Sequence, residues 1–60
     1  MLTYAILQPG NELPLAFIQS ARSPTTLELA SVVAEDQGFP DIDALLVRYP
    51  DLVLGYAIVH

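Results

Sequence analysis

Two pairs of carboxylates, Glu35 with Asp36 and Asp41 with Asp43, come nearest to a chemical site in this chain. Paired acids run general acid–base chemistry when their surroundings push their pKa values apart. That needs cleft-forming segments around them, and the neighbouring sequence supplies only a short helical hairpin, where such acids are expected to be solvated. As oxygen donors, Asp41-Ile42-Asp43 with Glu35 and Asp36 also suit a hard cation such as calcium. A calcium loop, however, continues with a third ligand at the next odd position and then a glycine. Ala44 and Leu45 stand where that pattern would run on, so no metal is expected.

The remaining side chains supply no other reaction. A nucleophilic hydroxyl needs an activating base held in place by a third group. The one imidazole is His60, the last residue, which is expected to fray and to be exposed. There is no cysteine for thiolate chemistry, a disulfide or a soft metal, and no lysine for a Schiff base or phosphate clamp. No glycine-rich phosphate loop is present. The expected function is therefore non-enzymatic, with no cofactor.

Sixty residues provide one domain, which buries only about 60% of the surface its unfolded chain exposes. Hydrophobic residues make up 53% of the chain and charged residues 15%, which argues against disorder. The longest apolar run, Leu52 to Val59, is far short of the roughly 20 residues of a membrane-spanning helix. The first residues lack the positive flank of a secretory signal, so a cytoplasmic protein is expected. Seven acids face two bases, Arg22 and Arg48, for a net charge of −5. Such a chain repels a phosphate backbone, so direct nucleic-acid binding is not expected. Its charge favours encounter with a basic surface, including one that itself holds nucleic acid.

Five elements must position these groups. Leu2 to Leu7 reads as a strand that ends at the turn-forming segment Gln8 to Glu12. A second strand, Leu13 to Gln19, sets Leu13, Leu15 and Phe17 on one face and Pro14 on the other, which places it at a sheet edge. A helix then starts either at a Thr25/Glu28 capping box or with Ser23 as cap and Pro24 at the first helical position. Leu29, Val32 and Val33 line its inner face, and Gly38 ends it in a left-handed conformation. In the second helix Ile42, Leu45, Leu46 and Tyr49 recur at helical spacing behind an Asp41 cap. Tyr49, preceding Pro50, closes it.

Leu52 to Val59 forms the last strand, apolar on both faces and so expected to be covered on both sides. The class is α+β: a three-stranded sheet in spatial order 2-1-3 with two short helices on one face. Ala5, Gly55 and Ala57 are expected to let those helices lie close. The expected core is Ile6, Phe17, Leu29, Val33, Ile42, Leu45, Leu46, Leu54, Tyr56 and Ile58.

Glu28, Glu35, Asp36, Asp41, Asp43 and Asp51 are expected to form one acidic patch that binds a partner. Glu35 lies two turns from Glu28 on the same helix face. Glu35 and Asp36 stand at the negative end of the first helix, where their charge is locally unfavourable. Phe39 and Tyr49, close by, are expected to serve the core rather than the interface.

A lone domain of this size, acidic and free of lysine, cysteine and catalytic residues, resembles the small inhibitors of the anti-CRISPR type carried by phages and mobile elements. The likeness is one of size and charge over the whole chain and transfers no residues. It implies an inhibitor acting in a host cytoplasm, through an acidic surface on a basic nucleic-acid-binding site of a protein complex, as a DNA mimic. The alternative is a small assembly or antitoxin-like module that works by strand or helix pairing. Consistent with pairing, Leu52 to Val59 carries no charge and no proline to block an edge, so it is expected to join a second copy in a homodimer.

Overall fold

A computed structural model describes residues 1–60 as an α+β domain. Its elements run β1 (Leu2–Leu7), β2 (Ala16–Ser20), α1 (Thr26–Asp36), α2 (Ile42–Arg48) and β3 (Gly55–Ile58). The three strands form one antiparallel sheet in the order β2-β1-β3. In this sheet β1 sets Tyr4 opposite Ile18 and Ile58, and Ile6 opposite Ala16 and Tyr56. Opposed residues share a face. Tyr4, Ile6, Ala16, Ile18, Tyr56 and Ile58 therefore point to one side, and Ala5, Phe17, Ala57 and Gly55 to the other.

The core lies on the first side. Ile6 has no exposed surface, and Leu29, Ala30, Val33, Ala34 and Leu45 close over it from the two helices. Leu15, Ala16, Ile18, Phe39, Ile42, Leu52 and Leu54 pack around this cluster. Only nine residues are buried.

Local chemistry explains the element ends. Pro9 and Gly10 occupy the centre of a turn closed by Asn11 N–H donating to Gln8 C=O at 3.1 Å, and Gly10 has φ of 86°, as the type II turn requires. Thr25, not Ser23, caps α1, with Thr25 Oγ1 accepting from Glu28 N–H at 3.2 Å. Pro24 before the cap and Leu29 at the fourth helical position are both buried, the two positions of a hydrophobic staple. At the other end Gly38, φ 84°, completes a Schellman motif: its N–H donates to Glu35 C=O at 3.2 Å and Phe39 N–H to Ala34 C=O at 2.8 Å. Asp41 Oδ1 caps α2 by accepting from Ala44 N–H at 2.8 Å, and Tyr49 leaves helical geometry at φ −130°, ψ 75°.

Four features depart from the sequence-based expectation. First, β2 starts at Ala16, not Leu13, and Phe17 is 58% exposed rather than in the core. Leu15 N–H donates to Ile6 C=O at 2.8 Å while Ala16 stands opposite Ile6, so two residues address one, as in a β-bulge. Leu15 and Ala16 both pack on the core, and the alternation slips by one. Second, Leu46 is exposed, because a helix of seven residues turns Ile42 and Leu45 inward and leaves Leu46 on its flank.

Third, β3 spans four residues instead of eight. Leu52 and Leu54 reach the core from the loop before it, while Tyr56 and Ile58 are more than two-fifths exposed. Helix α1 packs over β2 and against α2, so the strand expected to be covered on both sides is an edge strand with Tyr56, Ala57 and Ile58 exposed. Fourth, Ala5, Gly55 and Ala57 face away from the helices; their small size does not serve helix packing.

The contrast between neighbours on α2 gives a direct test. Leu45→Ala should destabilise the domain by about 2–5 kcal/mol, comparable with its entire expected stability. Leu46→Ala should change stability by under about 1 kcal/mol, as for other partly exposed positions away from the core. Denaturant melts of the two variants check this, and equal losses would contradict the assigned helix face.

Candidate protein-binding face

Two short segments position the charged groups. The first is the connection from β2 into α1, where Arg22 turns back over the helix start. Its Nη1 lies 3.0 Å from Glu28 Oε1 and also donates to Ser23 C=O at 3.2 Å. The same Glu28 oxygen accepts from Thr25 N–H at 3.3 Å and from the Thr25 hydroxyl at 3.1 Å. These donors, the Thr25 backbone foremost and Arg22 next, hold the Glu28 carboxyl below the usual glutamate range. Glu28 is thus engaged at the N-terminal end of α1, about 10 Å of helix away from Glu35. It does not join the acidic patch expected of it. Arg22 carried no expectation from sequence; its signal was a lone arginine within one helical turn of a cap.

The second segment is the turn from α1 into α2. Glu35 and Asp41 line one shallow depression there, with Ser31, Phe39, Pro40 and Ile42. Asp36 flanks Glu35 on the other side, beside Val32. Asp43 is exposed in the first turn of α2. The Schellman turn and the Asp41 cap set these four acids at hydrogen-bonded helix ends. Asp51 lies elsewhere, past the end of α2, sharing a surface depression with Arg48, Tyr49 and Gln8. Of the six residues expected in one patch, the structure gathers Glu35, Asp36, Asp41 and Asp43 around one turn and separates Glu28 and Asp51.

Of the two aromatics near this turn, Phe39 turns inward, whereas Tyr49, also expected to serve the core, is 44% exposed because it closes a helix too short to carry it under the sheet. Phe39 packs on the core and meets Tyr49 edge-on at 6.2 Å, and the Arg48 guanidinium stands over the Tyr49 ring at 5.1 Å. Both basic residues are therefore engaged within the chain, Arg22 on Glu28 and Arg48 on Tyr49. The Arg22–Glu28 contact is the single ion pair. Glu12, Glu35, Asp36, Asp41, Asp43 and Asp51 have no cation within ion-pair distance.

No three His, Cys, Asp or Glu residues are placed to hold a metal ion. A cleft of about 150 Å³ opens between the helices and the end of β1, walled by Leu15, Val33, Leu45 and Leu52 with Gln8 and Gln37. Apart from the Tyr49 phenol its lining offers no acid, base or nucleophile. No helix is long and apolar enough to cross a membrane. No protein-family model, curated protein or solved structure matches the chain.

The Glu28 carboxyl gives a pH-dependent prediction. Because its folded-state pKa is lowered, its charge-dependent stabilisation is complete above the ordinary glutamate range and is lost as pH falls through the lowered value. Glu28→Gln keeps a capping-box acceptor but removes that charge. The melting-temperature difference between the two proteins should therefore be largest at neutral pH and vanish in acid. A difference that stays constant down to pH ~2, below the ordinary carboxylate range, would contradict the assignment.

Proposed function

We propose that this protein is a non-enzymatic inhibitor that binds another protein through the acids of the α1–α2 turn. Its target is a basic, nucleic-acid-binding surface of a protein complex, which the acidic face occupies in place of the phosphate backbone. The observation that carries this reading is the unpaired carboxylates: with both arginines engaged elsewhere, Glu35, Asp36, Asp41 and Asp43 are exposed around one turn with no cation in ion-pair contact. Exposed charge of one sign speeds encounter with a complementary surface and falls away with salt. The size and acidity shared with anti-CRISPR-type inhibitors point the same way, and a host cytoplasm is the setting they imply.

A second reading, an assembly or antitoxin-like module working by strand pairing, is favoured by the uncovered apolar edge of β3. Salt dependence separates the two, since pairing through apolar surface and backbone hydrogen bonds is weakly screened.

The acidic reading is tested by replacing Glu35 by Gln and Asp36, Asp41 and Asp43 by Asn together. Asn is as good a helix cap as Asp, so the fold should persist. Affinity for a partner captured from the native host should fall about tenfold or more at low salt, as four exposed charge contacts would give. Unchanged affinity at low and high salt would remove the acidic face from binding.

A further inference from the structure

The free edge of β3 has a hydrogen-bonding pattern that matches itself. Val59 N–H donates to Thr3 C=O at 2.9 Å, which makes Thr3 and Val59 a hydrogen-bonded pair of the antiparallel ladder. Such pairs alternate with non-bonded ones. The register then makes Ala5 with Ala57 and Leu7 with Gly55 bonded pairs, whereas Tyr56 opposite Ile6 and Ile58 opposite Tyr4 are non-bonded. The N–H and C=O groups of Tyr56 and Ile58 consequently point away from β1, out of the sheet edge. They stand symmetrically about Ala57.

We infer that β3 pairs antiparallel with β3 of a second copy about a twofold axis through Ala57, forming a six-stranded sheet. In this register Tyr56 exchanges two hydrogen bonds with the second copy's Ile58, and Ile58 two with the second copy's Tyr56. All four outward groups of each strand are satisfied. Ala57 meets its own copy as the non-bonded pair, with Cα atoms about 4.5 Å apart, an approach that suits a small side chain.

The outward groups of Tyr56 and Ile58 admit a twofold pair through Ala57, as any antiparallel edge does, and two observations select a second copy as the occupant. The chain carries a net charge of −5, yet nothing from Leu52 to Val59 is charged, so this edge brings two acidic molecules together without setting acid against acid. On the helix side of the sheet, Tyr56 packs edge-on to the buried Tyr4 at 5.4 Å and remains 41% exposed beside Ile58 at 45%. Each Tyr56 would lie beside the other copy's Ile58, extending a core too small to cover β3 by itself.

The other edge is blunted: β2 is preceded by Pro14 and by the bulge at Leu15 and Ala16, and exposes Gln19. A strand pair this short buries less than the roughly 800 Å² per partner of a standard interface, so the association is weak. This pairing does not depend on the acidic face, which lies on the α1–α2 turn.

Light scattering over a concentration series of the full chain, from roughly 1 µM to 1 mM to span a weak association, should show the mass rise from one chain toward two. Ile58→Lys, with its fold checked by circular dichroism, should hold the mass at one chain throughout. Ala57→Cys should form a covalent dimer on mild oxidation, because the paired Cα distance lies within disulfide range. Val47→Cys, on the exposed flank of α2, should give little at the same concentration. A mass of one chain over the whole series would overturn the pairing, as would a dimer unaffected by a folded Ile58→Lys variant. If Ile58→Lys does not fold, Ala57→Cys decides: crosslinking no more efficient than that of Val47→Cys overturns the register.

Discussion

The packing of Ile6 against Leu29, Val33 and Leu45 is the contact on which the rest of this domain depends. Ile6 sits on the central strand, with hydrogen-bonded neighbours on both sides, and two helices close over it until no surface remains. The chain has no cysteine for a disulfide and no trio of His, Cys, Asp or Glu placed to hold a metal, so apolar burial must offset the conformational entropy of ordering 60 residues. The cluster of six buried residues reaches the sheet through Ile6 of β1, with Ala16 and Ile18 of β2 partly buried against it, and takes in no residue of β3. The exposure of Tyr56 and Ile58 follows from that limit: two helices of eleven and seven residues cannot cover three strands.

The same economy shapes the charge distribution. Each of the two cations serves the fold locally, one at the start of α1 and one in the last turn of α2, where a positive charge complements the helix dipole. No basic residue stands in the last turn of α1, so Glu35 and Asp36 meet its negative end uncompensated. The Schellman turn at Gly38 stabilises that terminus by backbone bonds alone and keeps the acids outward. The domain thus has an acidic end on the helical hairpin and a neutral apolar edge on β3. These are two surfaces of different chemistry.

Elements whose ends are set by local chemistry were legible in the sequence. The Thr25–Glu28 box, the Asp41 cap, the left-handed Gly38 and the closure at Tyr49 before Pro50 each depend on residues within four positions of one another, and all stand as their residue types predict. Features set by tertiary context were not. Nothing in Leu13-Pro14-Leu15-Ala16-Phe17 marks the bulge that turns Phe17 outward, since it arises from how Leu15 meets Ile6 across the sheet. The apolar run Leu52 to Val59 looked like one buried strand because core-filling loop residues and edge-strand residues are equally apolar. The acidic patch was legible as composition only: helical periodicity aligned Glu28 with Glu35, but the reach of Arg22 to Glu28 is a side-chain contact that periodicity does not describe.

Amide hydrogen exchange of the dilute single chain, followed residue by residue by NMR, tests most directly the claim that β1 centres the sheet and fixes the register of its neighbours. Ile6, bonded toward β2 and buried, should be among the slowest, and Ala57 and Val59, bonded to β1, should be protected. Tyr56 and Ile58 between them should exchange freely. Uniform protection across residues 55–59, or free exchange of Ala57 and Val59 with protected Tyr56 and Ile58, would contradict this architecture.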